Sequence, residues 1–351
     1  MAADFLGKLQ AALLPHTSAD NCLLLVGFSG GRDSVALLLG AYCLAQGELA
    51  GRYRLAAAHL NHNLRGEEAA ADADFCRDFC AQRGIEFATA TAEGLFAGMP
   101  NAEQQARAAR YAWFEELRRQ YEGEGYCPCL LTAHHLADQA ETVLLHLLRG
   151  SGTAGLMAMQ EQNGWHLRPL LGFSRGEITA FLEEQGVAWR EDSSNKDLAY
   201  TRNFVRAEVL PVLRRLNPQA ERALAQTAEL CRADEEFLAA EAAARLGRAE
   251  IADGKASYPW AELAAEPLAI RRRLVRALWQ GLTGAAVCGL TYRQVEAVLG
   301  LLPGQSVNLS GAVLAARRGK RLVLLLPSPA HLAARRAKSR KGQAQNRKKP
   351  R

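Results

Sequence analysis

No C-x-x-C pair occurs among the eight cysteines of this 351-residue sequence. That disfavours zinc ribbons, iron–sulfur sites and dithiol redox motifs. The thiols read as reduced and mostly buried, as in a cytoplasmic protein. No apolar run approaches the ~20 residues that cross a bilayer. Near the start the longest uncharged stretch, residues 34–47, has 14 residues. The N-terminus has no basic segment ahead of an apolar run, so no secretory signal is expected. It reads instead as a short amphipathic helix with Phe5, Leu6, Leu9 and Leu13 on one face. The Walker-A run, G-x-x-x-x-G-K followed by Ser or Thr, is also missing, which sets aside the P-loop route to nucleotide binding. Finally, residues 328–351 contain nine Lys/Arg and no acid, leaving 34 basic against 37 acidic residues elsewhere. The net charge of +6 is therefore a property of this tail. The tail is expected to be disordered and to attract polyanions without distinguishing among them.

What is present is ordinary globular composition, 49% hydrophobic and 23% charged. Strand-like runs at 22–26, 55–59, 86–90, 130–133 and 187–190 alternate with helical patterns at 33–46, 66–83, 101–121, 137–149 and 174–185. Ser174 and Glu177 form a capping box for the last of these. Such alternation predicts an α/β, doubly wound parallel sheet covered on both faces. Three segments are expected: a catalytic domain at 1–215, a smaller and mostly helical domain at 216–327, and the basic tail. The second segment holds a long Ala/Leu/Glu helix at 218–247, helices at 267–281 and 291–301, and two or three short strands at its end.

Ligands on such sheets bind beyond the carboxyl ends of the strands. Ser29-Gly30-Gly31-Arg32-Asp33-Ser34 falls there, directly after the first strand. Adjacent glycines let backbone N–H groups converge on an anion, and the following helix adds its positive end. Ser29 and Ser34 can donate to phosphate oxygens. Asp33 would repel phosphate unless a cation such as Mg²⁺ bridges them. A glycine-rich turn with a helix cap explains the glycines alone, but not both serines and Asp33 in this order.

Further along, His59-Leu-Asn-His62-Asn-Leu-Arg65-Gly66 follows the second strand, and a substrate-positioning loop outweighs a metal site there. Glu103, Arg107 and Arg110 form a charged stripe at helical spacing, either a solvated surface or a phosphate contact. Thr132-Ala-His134-His135-Leu-Ala-Asp138-Gln-Ala-Glu141-Thr142 follows the fourth strand and enters a helix. Asp138, Glu141 and Thr142 are expected on one face of it, with Leu136, Val143, Leu144, Leu147 and Leu148 on the buried one. Helix capping by Asp138 is the structural alternative. Asp192 lies in EDSSN, and Arg202 and Arg206 lie one turn apart in TRNFVR, where surface solvation or phosphate binding would both suit them.

SGGRDS resembles the PP-loop of the N-type ATP pyrophosphatases, which cleave ATP between the α- and β-phosphates. The ordered set SGGRDS, HLNHNLRG, EQQARAARY, TAHHLADQAETVLLHLLRGSG, RPLL, EDSSN and TRNFVR resembles bacterial tRNA(Ile)-lysidine synthases more specifically. The likeness covers the first domain well and the second weakly; the chain reaches its basic tail after about Pro327, as in a shorter form. The resemblance implies a Rossmann-like PP-loop fold. It also implies ATP-dependent ligation of free L-lysine to C2 of the wobble cytidine in a tRNA(Ile) with a CAU anticodon, through an adenylated tRNA, with release of pyrophosphate and AMP. Ser29, Gly30, Gly31, Arg32, Asp33 and Ser34 are then expected to hold ATP, with Asp33 also on Mg²⁺. Asp138, Asp33 and Arg110 are expected to be catalytic. His62, Arg65, Arg107, His134, Glu141, Asp192, Arg202 and Arg206 are expected to contact substrate, and a homodimer is a candidate assembly. The alternatives are a PP-loop tRNA thiolase and a non-catalytic nucleotide- or RNA-binding protein.

Overall fold

The computed structural model of the chain describes residues 2–18, 20–62, 67–92, 102–191, 201–285 and 289–326. Arg65, Asp192 and the tail at 328–351 lie outside the described residues, as does the side chain of Glu103. The chain divides into two compact units, Met1–Cys231 and Arg232–Arg351.

The first unit is built on a six-stranded sheet. In chain order it comprises α1 (Ala2–Leu13), β1 (Cys22–Gly27), α2 (Arg32–Gln46), β2 (Arg54–Asn61), α3 (Glu67–Ala81), β3 (Glu86–Thr91), α4 (Ala102–Gly123), β4 (Cys127–Leu131), α5 (Leu136–Leu148), α6 (Thr153–Leu156), β5 (Gln162–Asn163), β6 (His166–Leu167) and α7 (Arg175–Glu184). The strand order is β3-β2-β1-β4-β6-β5, parallel except for the β5–β6 pair. The chain therefore steps outward on one side through β2 and β3, then returns to the other side of β1 at β4. That reversal places a topological switch point between β1 and β4, where an open parallel sheet leaves a crevice.

Strand β1 shows why both faces are covered. Leu24 and Val26 pack on one side with α1, α2, α3 and α7, while Leu23 and Leu25 pack on the other with Phe114, Leu117 and Tyr121 of α4. Period-2 alternation sends consecutive apolar side chains to opposite faces. The amphipathic N-terminal helix forms as expected, with Phe5, Leu9 and Leu13 buried. Phe5 stacks on Phe181 at 4.1 Å and meets Phe173 edge-on at 4.9 Å. Helix α2 accommodates it at Gly40, where a Cβ would come within 2.5 Å of Leu9 Cδ2. The Ser174–Glu177 capping box is present, and Lys8 of α1 reaches Glu177 across the layer.

The segment 187–190 does not form the expected strand. It makes one parallel bridge, Gly31 to Arg190, with Arg190 N–H donating to Gly30 O at 2.9 Å. The position beside β4 belongs to β6, two residues long, which the sequence pattern was too short to reveal.

Beyond residue 200 come α8 (Thr201–Phe204), a π-helical turn (Val205–Val209), α9 (Leu210–Leu216) and α10 (Ala220–Leu246). The π-turn closes with Leu210 N–H on Val205 O, five residues back. Pro211, next in line, has no N–H to donate and crowds the carbonyl four residues before it, which accounts for the wider turn.

In the second unit, α11 (Trp260–Ala265), α12 (Leu268–Thr283) and α13 (Tyr292–Leu299) accompany a five-stranded antiparallel sheet. The sheet order is β7-β8-β11-β10-β9, from β7 (Glu250–Ala252), β8 (Lys255–Pro259), β9 (Ser306–Asn308), β10 (Leu314–Arg318) and β11 (Arg321–Leu325). The terminal strands were expected; β7 and β8 were not. Leu274, Val275 and Leu278 of α12 are buried against Tyr258, Leu322 and Leu324 of the sheet in one core. Among the described residues no helix is long and apolar enough to cross a membrane.

Candidate functional site

The site gathers at the carboxyl ends of β1 and β4, on either side of the switch point. After β1 the chain turns through Ser29–Ser34. Gly30 has φ +77°, and a Cβ there would also press on Phe75 at 3.1 Å and Cys76 at 3.2 Å, so the turn requires glycine on two counts. Gly31 precedes the first turn of α2 without a side-chain cap. The helix start therefore offers N–H groups and its positive dipole end to an anion. The two serines brace the turn: their hydroxyl oxygens lie 3.1 Å apart, and Ser34 Oγ donates to Gly31 O at 2.9 Å.

Asp33 is half-buried in the first turn of α2. Its Oδ1 accepts from Arg32 Nε at 2.9 Å and Arg32 Nη2 at 2.7 Å. Its Oδ2 lies 3.5 Å from His135 Nε2. Burial works against the charge on Asp33. The hydrogen bond and charge of His135, with Arg32 behind them, outweigh it and hold the carboxyl at about 2.

From the β4 side, α5 begins with a capping box formed by His135 and Asp138. Ala137 N–H donates to His135 Nδ1 at 3.2 Å, and His135 N–H donates to Asp138 Oδ2 at 3.0 Å. Because Nδ1 is an acceptor, the proton of the neutral ring sits on Nε2. That nitrogen faces Asp33, and Asp138 Oδ2 is 3.7 Å away. Burial lowers the pKa of His135, but Asp33 and Asp138 raise it by more. One imidazole thus joins two carboxylates that are 105 positions apart in the sequence.

Asp138 is both cap and site residue. Its Oδ1 accepts from Arg206 Nη2 at 3.0 Å. Burial pushes its pKa up, but the charges of His135, His134 and Arg206 with the backbone hydrogen bond bring it below the ordinary value. One turn later Glu141 is fully buried. Arg206 Nε donates to its Oε1 at 2.6 Å, and Arg202 Nε donates to its Oε2 at 3.0 Å. Arg202 Nη2 also donates to Thr142 Oγ1 at 2.9 Å. The shared face of Asp138, Glu141 and Thr142 is real, but it is not the polar outer face. Leu147 and Leu148, expected to be buried, are exposed, while Gln139 and Glu141 are buried. The reason is electrostatic: Glu141 goes inside because two guanidinium groups meet it, and Gln139 because its amide exchanges two 2.9 Å hydrogen bonds with the Met159 backbone.

The remaining candidates fall as follows. Arg107 is exposed, its guanidinium 5.0 Å from the centre of the Tyr111 ring. Arg110 and His62 are half-buried. His134 is tied through Thr132 to His166 and lies near Asp138, Arg168, Arg107 and Arg202. His135 stands in the TAHHLADQAET stretch, but the sequence points to no role for it. Its adjacency to a strand end and its place three residues before Asp138 were the available signals. Arg168 and His166 were missed, although Arg168 belongs to the RPLL stretch.

A model of the PP-loop domain matches residues 3–213, more than half of the chain. The chain belongs to the PP-loop family. The tRNA(Ile)-lysidine synthase of Thermus thermophilus is 39% identical over 312 residues, 87% of this PP-loop protein and 57% of the relative. That of Pseudomonas syringae pv. tomato is 44% identical over 231 residues, 64% and 48%. That of Parabacteroides distasonis is 41% identical over 214 residues, 59% and 45%. The chain thus spans about half the length of these curated relatives. Among solved structures, the U34-tRNA thiolase NcsA from Methanococcus maripaludis, with its 4Fe-4S cluster, superposes at a TM-score of 0.56 with 16% identity. The match covers 66% of this PP-loop protein and 78% of that chain, a likeness of fold.

Proposed function

We propose that the protein ligates lysine to C2 of the wobble cytidine in a CAU-anticodon tRNA(Ile), using ATP and acting in the cytoplasm. The observation that carries this reading is the convergence of Asp33 and Asp138 on His135, which sets a phosphate-binding turn beside an acidic site. The similarity to curated tRNA(Ile)-lysidine synthases supports this choice of substrates.

In this reading the C2 carbonyl oxygen of the cytidine attacks the α-phosphorus of ATP and pyrophosphate leaves. The turn at Ser29–Ser34 and the start of α2 bind the phosphates through N–H groups and hydroxyls. Arg32 and Arg110 are assigned to offset charge as it grows on the phosphoryl oxygens. Mg²⁺ fits here chemically: it takes one or two carboxylate oxygens beside phosphate oxygens and water, and Asp33 is an ionised carboxylate at the loop. When bound it would neutralise phosphate charge.

The ε-amine of lysine next attacks C2 and AMP departs. An amine of pKa ~10.4 is under ~0.1% deprotonated at pH 7, so a carboxylate must accept its proton as attack proceeds. Asp138 is assigned that task, with Glu141 completing the acidic pocket. Asp138 Oδ1 already holds Arg206, so entry of the amine requires that guanidinium to yield. His62, Arg107 and His134 line the approach in this proposal, and Arg202 and Arg206 hold the carboxylates. A homodimer remains the candidate assembly.

A thiolase of the same fold would also modify C2. Relatives that thiolate cytidine are expected to use C-x-x-C pairs, which this chain lacks. The deciding experiment combines the protein with ATP, labelled lysine and an unmodified CAU-anticodon tRNA transcript, followed by nucleoside mass analysis. Lysine incorporated at the wobble cytidine supports the reading. Adenylation with no lysine transfer, or no tRNA-dependent pyrophosphate release, rejects it.

A further inference from the structure

Arg168 is a buried cation that meets no carboxylate among the described residues. Its Nη1 donates to Gln160 O at 2.6 Å, its Nη2 lies 3.2 Å from His166 Nδ1, and the Tyr111 side chain also hydrogen-bonds the guanidinium. Leaving an arginine inside without a counter-charge is costly, so its position calls for a reason other than stability. The donor inventory supplies one. A guanidinium can only donate. His166 Nδ1 is therefore the acceptor, and the proton of that ring is on Nε2. His166 Nε2 is 2.7 Å from Thr132 Oγ1, which accepts from it. The Thr132 hydroxyl then turns its own proton to His134 Nδ1, 2.9 Å away. The direction of every bond in the chain follows from the one group that cannot accept.

We propose that Arg168, His166 and Thr132 are positioning residues that hold His134 as a neutral imidazole with its proton on Nε2, so that His134 acts as a hydrogen-bond donor to an oxygen of the bound reactants and not as a base. This rests on the ligase reading of the same site. The groups facing His134 are Asp138, which favours its protonation, and Arg168, Arg107 and Arg202, which oppose it. Burial is the largest influence and brings its pKa down to about 4; burial and Arg168 bring His166 to about 3. Both rings thus stay neutral at physiological pH, as the chain of donors requires. A neutral donor next to Asp138 leaves that carboxylate as the proton acceptor. It also avoids placing an imidazolium where a lysine ammonium must enter.

Two measurements test this. In full-length protein labelled with ¹⁵N histidine, His134 is assigned by its loss in His134→Gln. Its Nε2 is expected to be protonated and its Nδ1 bare throughout pH 5–8. Thr132→Ser should preserve that spectrum, whereas Thr132→Val and Arg168→Met should let the ring titrate or exchange tautomers in this range. A proton on Nδ1 in the native protein, ordinary titration near 6.5, or no response to Thr132→Val would overturn the proposal. The spectrum is read without turnover, so it stands apart from the ligase reading. In the lysidine assay, His134→Gln keeps an N–H near the Nε2 position and should retain activity within about 10-fold. His134→Ala should lose about 100-fold or more, as when one donor to developing charge is removed. Equal losses in the two variants would overturn the donor assignment.

Discussion

Arginine–carboxylate pairs occur in both units, yet they do different things. In the first unit Glu141 is fully buried between Arg202 and Arg206, and every oxygen is assigned. In the second, Arg272 pairs with Glu296 at 2.8 Å between α12 and α13, with both side chains about a third exposed. Arg245 at the end of α10 similarly spans Glu241 and Glu266. Distances and partners are alike; solvation differs. Water already serves the Arg272–Glu296 pair, which ties α12 to α13 at little net gain. The first set is committed to its partners, and removing one leaves charge inside. Arg273 and Glu235 of the second unit are shielded as well, at 17% and 13% exposure, so the site is set apart by its place at the strand ends beside the Ser29–Ser34 loop and not by burial alone.

The largest effect should come from the loop. Asp33→Asn is expected to lower tRNA-dependent pyrophosphate release by at least about 100-fold, the scale lost when an electrostatic partner of a reacting phosphate is removed. Circular dichroism should be unchanged. Normal pyrophosphate release in the variant would remove Asp33 from the chemistry.

Next, the contrast between the two units can be measured directly. Glu141→Ala should destabilise the protein by about 2–4 kcal/mol in denaturant unfolding. The value falls short of a wholly buried pair because Arg202 and Arg206 are themselves 37% and 34% exposed. Glu296→Ala should leave the unfolding midpoint where it was. Equal shifts would mean that burial does not separate the two clusters.

Asp138→Asn should slow lysine transfer more than adenylation. Raising the pH one unit supplies about 10-fold more free amine, so the second step should recover as pH rises. If both steps fall equally and alkali rescues neither, Asp138 serves ATP and not lysine.

The smallest effect concerns Glu177, outside the site. Burial raises its pKa, but hydrogen bonds from Lys8 and Ser174 outweigh that and hold it at about 2, below the ordinary 4.5. A depressed carboxyl stabilises the fold above its unfolded pKa and loses that contribution as pH falls through the folded value. Native protein should therefore melt above Glu177→Gln at pH 7, and the gap should close between about pH 4.5 and 2. A gap that persists at pH 2 would assign the stabilisation to the neutral cap alone.

These contrasts also explain what could be read from the chain itself. The first sheet was legible because β1, β2 and β3 are continuous apolar or alternating runs, each followed by a helix of matching period. The loop at Ser29–Ser34 stood out because two glycines, two serines and one acid interrupt such runs. The acidic face of α5 was legible, but its burial was not: hydropathy places Leu147 and Leu148 inside, and only the distant Arg202 and Arg206 reveal that Glu141 goes there. Segment 187–190 has strand composition, yet its partner is the turn at Gly30 and Gly31, not a strand edge. The relay from Arg168 to His134 spans 34 positions and depends on donor directions, which no spacing rule encodes.

His135 closes the first turn of α5 with one ring nitrogen and faces two carboxylates with the other. Evolution therefore cannot adjust these two roles separately: a lineage that changes this position risks an unravelled helix start along with an altered site. Asparagine is the narrow exception, since its short amide is among the best residues at a helix start but does not extend as an imidazole does. A descendant carrying His135→Asn would keep the architecture and lose the link between its two halves. Such a sequence would mark a copy of this fold released from its original chemistry.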